Sequence, residues 1–303
     1  MLQSGTHGNQ CMVLPHERSR NMLYYMTPRT IRELFRSQPT IEGAGVHLAR
    51  VFAQPEVPKF DPFLLLDDFG SHNPDDYLKG FPWHPHRGIE TITYMKSGKV
   101  EHQDSLGNKG VIRAGDVQWM MAGSGIIHQE MPQRSEDTLQ GLQLWVNLPR
   151  EKKMVAPRYR GLGKHDIPTT EHDNCIVKVI AETWNGVEGP ASHLYLDVRY
   201  FDVTIREGGA FTYELPSEYT AFVYVYEGAV HIGADEVVEA QYAALMNNGN
   251  HIKLTTQGRT ARCIVVAGEP IDEPVAWGGP IVMNTQEELE QAFQSIEHGD
   301  FIQ

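Results

Sequence analysis

Cysteine is scarce: Cys11, Cys175 and Cys263 are all that 303 residues contain. An odd, widely spaced set forms neither a disulfide framework nor a Cys-x-x-Cys metal clip. That fits a reducing compartment, so a cytoplasmic location is expected, or a nuclear one in a eukaryote. Long hydrophobic runs are missing as well. No window approaches the roughly 18 apolar residues of a membrane span, which excludes a transmembrane helix. No apolar stretch follows a basic start, so a secretory signal is not expected. Positive charge is in deficit, with 26 Lys and Arg against 39 Asp and Glu and a formal net charge of −13. Phosphate backbones are held by clustered Lys and Arg, so direct nucleic-acid binding is not expected. Histidine, by contrast, is plentiful, at 14 residues.

The length exceeds what one core usually serves and predicts two domains. Residues 1–40 read as a flexible N-terminal extension. Its first 38 residues carry five Arg and two Glu, a net of +3, which leaves −16 for the rest of the chain. The segment has a transit-peptide flavour, and Met26 before Thr27-Pro28-Arg29 is an equally good natural beginning. From Gly45 onward, short β runs alternate with Gly-rich turns, the pattern of a sandwich or barrel. Val46 to Phe52, Ile89 to Met95 and Gly141 to Leu148 are examples. The Pro- and Lys-rich stretch 149–170 reads as a connection. The predicted division is 41–165 for a metal-binding domain with its connection and 166–303 for a second domain. Tyr94-Met95-Lys96-Ser97-Gly98-Lys99-Val100 matches Tyr224-Val225-Tyr226-Glu227-Gly228-Ala229-Val230 in kind, which predicts that the two are copies. Thr285 to Glu288 is a capping box and predicts a short C-terminal helix with Leu289, Phe293 and Ile296 at helical spacing.

Two of the histidine groups have spacing that points to chemistry. His84-Pro85-His86 and His128-Gln129-Glu130 are both i, i+2 pairs, and on a strand such pairs project to one face. Pro85 cannot donate to a ladder and predicts a strand start or edge. If the two strands are neighbours, three imidazoles and one carboxylate converge, a donor set that suits a redox-active first-row metal. Iron(II) is the leading expectation, with Mn, Ni or Cu next; Zn more often takes sulfur ligands or a hydrolytic site. Glu90 shares parity with His84 and His86 and competes with Glu130 as the carboxylate ligand. His102 is expected on the rim as a hydrogen-bonding residue, and Arg87 and Asp116 in turn or ion-pair contacts. Trp83, Trp119, Met120 and Met121 are candidates to line a cavity. The second half has Glu214-Leu215-Pro216 where the repeat predicts a His pair, so it is expected to be metal-free.

The block Phe81-Pro82-Trp83-His84-Pro85-His86-Arg87-Gly88-Ile89-Glu90-Thr91 resembles the cupin metal motif as written in the pirin family. So do Gly115 to Met120 and Ala122 to Pro132, and the tail Gly279 to Thr285 fits the same family. The resemblance implies an all-β bicupin, two tandem antiparallel jelly-roll-like barrels, with one iron in the first. It implies His84, His86, His128 and Glu130 as ligands. It offers two functions. One is a quercetin 2,3-dioxygenase-type oxygenase acting on a flavonol and O2, with Glu130, or else Glu90, as proton acceptor. The other is an iron-dependent redox-sensing regulator that docks on a protein partner, either the transcription machinery or a metabolic enzyme.

Overall fold

Strand after strand places alternate side chains on opposite faces, and in Val198–Ile205 both faces are largely buried, Val198 and Tyr200 in the core between the barrels and Phe201, Val203 and Ile205 inside the second barrel. The computed structural model describes residues 26–192, 194–233 and 236–302. The expectations about residues 1–25 lie outside the described residues.

The chain forms two antiparallel β-barrels built alike, each a seven-stranded sheet facing a four-stranded one. In the first barrel the large sheet runs from Arg158–Leu162 through Val117–Met121, Ile89–Ser97, Leu139–Asn147, Phe63–Ser71 and Val46–Phe52 to Gln38–Glu42. The small sheet runs Phe81–His86, Ile126–Pro132, Lys99–Asp104, Lys109–Arg113. The predicted repeat is visible at Gly98 and Gly228, with φ of 76° and 73°. Each lies where the chain leaves its large sheet for its small one, after Ile89–Ser97 and after Thr220–Glu227. A left-handed residue is needed there, and glycine adopts it without a Cβ penalty. The chain passes from the first barrel to the second between Leu162 and Thr169.

The front segment departs from expectation. Residues 26–40 are not a loose extension: Ile31–Arg36 adds an edge strand to the second barrel, antiparallel to Tyr242–Met246. Gln38–Glu42 then pairs with Val46–Phe52 of the first barrel. Arg29 is 2% exposed. Its Nε donates to the Gly249 carbonyl at 2.7 Å and its Nη2 to the carbonyls of Pro216 and Ser217 at 2.9 and 3.1 Å. A bulge between Ile31 and Glu33 shifts the facing of the strand. Ile31 therefore packs on the second barrel's interior and Phe35 on the core between the barrels.

The hydrophobic interior explains which barrel has room for a site. The two large sheets share one core, in which Phe52 stacks on Phe60 at 3.9 Å and Phe222 meets Phe52, Phe60 and Phe63 edge-on. The second barrel is filled by Val177, Phe201, Phe211, Ile252, Leu254 and their neighbours. The first barrel's interior is divided into two apolar patches, one around Phe69 and Met95 and one around Ile89 and Met120. Buried polar residues, among them His86, Thr93, His102, Gln118, His128 and Glu130, are held in the same barrel.

The C-terminal helix Gln286–His298 has its capping box and ends at Gly299 with φ 78°. It docks through Leu289 and Ala292, while Phe293 and Ile296 are only partly covered.

Candidate metal centre

Phe81–His86 is the edge strand of the small sheet. That position tolerates Pro82 and Pro85, which have no amide hydrogen for a ladder. Its neighbour Ile126–Pro132 runs antiparallel, with His128 opposite His84 and Ile126 opposite His86. An irregularity after His128 sets Glu130 opposite Phe81. On the other side, Lys99–Asp104 brings His102 opposite Glu130 and Asp104 opposite His128.

The donor atoms of His84, His86 and His128 lie within 4.8 Å of one another, and so do those of His102, His128 and Glu130. Hydrogen bonding fixes two of the tautomers. A carbonyl only accepts, so His84 Nδ1–H donates to Pro82 at 2.8 Å and His86 Nδ1–H to Pro280 at 3.1 Å. Both Nε2 atoms are then left as lone pairs, 3.1 Å apart. Two lone pairs at that distance repel unless a cation lies between them. His128 is buried with neither ring nitrogen hydrogen-bonded. A neutral imidazole so placed costs about 1–3 kcal/mol. Burial, with the neighbouring imidazoles, holds His86 and His128 well below the usual histidine range, and burial lowers His84. Neutral imidazole is the ligating form. The residues therefore fit a bound metal.

Glu130 is pushed up to about 7 by burial, against the pull of its hydrogen bond from Thr93. Thr93 Oγ1 is 3.0 Å from Glu130 Oε1 and 2.5 Å from Gln143 Oε1. A hydroxyl has one proton to give, so both contacts are satisfied once the Gln143 amide turns its NH2 toward Thr93.

The remaining candidates fall elsewhere. His102 is not on the rim: it is fully buried, stacked on Tyr159, with Nε2 3.1 Å from Asp104 Oδ2 and Nδ1 3.1 Å from Gln118 Nε2. Both its nitrogens are engaged, so it serves as a packed neighbour of His128. Glu90 is separated from the imidazoles. It accepts a 2.5 Å hydrogen bond from Trp119 Nε1, and Ile92 and Tyr94, of the same parity, pack in the core between the barrels. Gly88, with φ 79°, breaks the strand after His86, so the parity of the histidines does not carry to Glu90. Arg87 and Asp116 make structural contacts; Asp116 accepts from the amides of Arg113 and Lys164, both at 2.8 Å.

A cavity of about 690 Å³ opens over His84, His86 and Glu130. That is within the range of small-molecule sites. Trp83 lines it and is 52% exposed, whereas Trp119, Met120 and Met121 are buried outside its wall. The tryptophans that share the wall with Trp83 are Trp145 and Trp277, and the polar groups that sequence reasoning missed are Arg50, Asp67 and Gln143. Strand parity links Thr93 to Gln143 only once their strands are known to pair, with Thr93 opposite Gln143.

Two barrels of this topology define a bicupin, with the candidate site in the N-terminal one. The family model described as Pirin matches residues 45–146, and the one described as Pirin C-terminal cupin domain matches residues 200–302. The chain belongs to the pirin family of the cupin superfamily. A Pirin-like protein of Caulobacter vibrioides is 43% identical over 278 residues, covering 91% of this chain and all of that one. A crystal structure of quercetin 2,3-dioxygenase from Acinetobacter baumannii superposes with a TM-score of 0.84 at 30% identity, covering 90% of this chain and 98% of the other. The Escherichia coli bacterial pirin YhhW, solved in complex with nickel(II), shares the fold with a TM-score of 0.61 at 21% identity over 78% of this chain and 98% of that one.

Proposed function

We propose that the first barrel holds one metal ion through His84, His86, His128 and Glu130 and carries out a quercetin 2,3-dioxygenase-type ring cleavage. The observation that supports this most is the cavity: His84, His86 and Glu130 line a space of about 690 Å³, with His128 buried beside them and within 4.8 Å of their donor atoms. Iron(II) is the proposed metal. The relative solved with nickel(II) makes nickel the first alternative, followed by Mn, Cu and Zn. When bound, the metal would supply Lewis-acid polarisation of the substrate's oxygens and access to O2.

The chain supplies the rest. Trp83, Trp145 and Trp277 give flat apolar surface along the wall. Arg50 and Asp67, paired at 2.8 Å on the same wall, give the few polar groups that orient a ligand. Glu130 faces the cavity, held by Thr93, and accepts the flavonol hydroxyl proton as the ring opens with release of carbon monoxide. The cytoplasmic location follows from cysteine usage and belongs to the same reading.

The test is anaerobic reconstitution with Fe(II), Ni(II), Mn(II) or Cu(II), then quercetin under air with carbon monoxide monitored. Carbon monoxide is expected from the wild-type chain and not from His128→Ala. No release with any metal that binds would overturn the oxygenase and leave the redox-sensing regulator with its protein partner.

A further inference from the structure

His84 takes its orientation from its own strand, through the Pro82 carbonyl two residues away. His86 does not. Its Nδ1–H donates to the carbonyl of Pro280, 194 residues further along the chain. Pro280 occupies the turn between the short strands Ala276–Gly278 and Ile281–Met283, in the segment that follows the second barrel.

That turn is fixed from several sides. Trp277 Nε1 donates to the Gly279 carbonyl at 2.6 Å, and the Val282 amide donates to the Arg87 carbonyl at 3.1 Å. Lys153 Nζ donates to the carbonyls of Gly88 and Val282 at 2.9 and 3.1 Å. The approach leaves no slack, since a Cβ on Gly88 would lie 1.9 Å from the Val282 carbonyl oxygen. Arg87, the residue after His86, gives Nη1 to Ser295 Oγ at 3.2 Å and Nη2 to the Phe301 carbonyl at 2.8 Å. Its guanidinium lies over the Phe301 ring at 4.2 Å. Trp277, Gly279 and Pro280 also line the cavity.

We infer that the C-terminal hairpin is a positioning element of the first barrel's metal site: the Pro280 carbonyl holds His86 as the Nδ1–H tautomer and aims its Nε2 lone pair at the metal. This rests on the reading of His86 as a ligand. The hydrogen-bond partner behind a metal-bound imidazole fixes its orientation and basicity, and removing one typically weakens metal binding 10–100-fold. Coupling of this kind is reciprocal, so a bound metal must also tighten the docking of the hairpin. The chain beyond the second barrel thereby acts on the site in the first.

Three measurements test this. In the metal-free full-length chain, 15N-histidine NMR should show His86 as the Nδ1–H tautomer. In Trp277→Ala, and in a chain truncated after Asn284, His86 should become a mixture of tautomers. Ni(II) affinity, read by competition with a chromophoric chelator, should fall about 10–100-fold in both. In the intact chain, Ni(II) should slow hydrogen exchange at the Val282 amide relative to Val203 inside the second barrel. Should the truncated chain fail to fold, Trp277→Ala and the intact-chain exchange decide. A folded Trp277→Ala with unchanged tautomer and affinity, together with Val282 exchange indifferent to Ni(II), overturns the inference. Retention of Ni(II) by His86→Ala would instead overturn the ligand assignment beneath it.

Discussion

Glu90 and Glu130 are both buried carboxylates in the first barrel, and a single glycine separates their fates. Gly88 turns the chain with φ 79°, which sends Glu90 toward Trp119 while Glu130 stays on the face of His128. Glu130→Gln is therefore expected to lose stoichiometric metal, whereas Glu90→Gln keeps it, because an amide oxygen still accepts from Trp119. Elemental analysis of the two variants side by side checks this, and loss only in Glu90→Gln would reverse the assignment. His84→Ala and His128→Ala should each fold with an unchanged circular dichroism spectrum and carry no stoichiometric metal by the same assay. The three imidazoles were legible because period two holds within one strand, and each pair lies within one strand. Glu90 is ambiguous in the sequence because its parity is counted across Gly88, whose left-handed conformation only the fold reveals. The burial of His102 was not legible, since it depends on Gln118 and Tyr159, partners that only the fold brings near.

The strand Ile31–Arg36 shows the same limit one level up. Its pattern IRELFR has three charged residues in six, Arg32, Glu33 and Arg36, and reads as a polar extension. Charged residues are also how edge strands are kept from pairing with other chains, and this is an edge strand. It closes the second barrel with a ladder, the side chains of Ile31 and Phe35, and the buried Arg29 just before it. Hydrogen bonds from a charged donor are worth about 1.5–3 kcal/mol each. Removing residues 1–36 should lower the melting temperature by roughly 10 °C, at about 2–4 °C per kcal/mol for a chain of this size class. Calorimetry of the truncated chain checks this; an unchanged midpoint would show the strand to be dispensable. The capping box of the C-terminal helix was legible in full because it is local, with Thr285 and Glu288 bonding each other's amides at 3.1 and 3.0 Å.

The duplication was readable from repeated turns, but the way the copies meet was not. An apolar residue on the outer face of a large sheet looks the same in sequence whether it meets solvent or a partner barrel. Here it meets the partner, and one buried carboxylate ties the two together. Asp202 of the second barrel accepts from Tyr94 Oη at 2.6 Å and from Lys96 Nζ at 3.0 Å, both from the first, and from its own Tyr226 Oη at 2.5 Å. Burial pushes this carboxyl up, but Lys96 and the two hydroxyls outweigh it and hold it below the usual range. A lowered folded-state value contributes stability that is present above the unfolded value of about 3.9 and is lost as pH falls through the folded one. Asp202→Asn leaves Lys96 buried without its partner, which should cost about 3–5 kcal/mol at neutral pH. Urea unfolding should show the gap between wild type and variant narrowing as pH drops below about 4. A gap that stays constant would show that the carboxylate's charge is not what joins the barrels.

The pairing of Ile31–Arg36 with Tyr242–Met246 also bears on how the protein is made. The first of these segments leaves the ribosome some 200 residues before the second, from Arg36 to its partner Tyr242. At typical synthesis rates of about 5–20 residues per second, that is a wait of roughly 10–40 s. During it the first barrel can form around its histidines while the strand ahead of it has nothing to pair with. The second barrel gains this edge only after the earliest of the described strands is brought back to a sheet made about 200 residues later, so most of the chain must be translated before Ile31–Arg36 is in place.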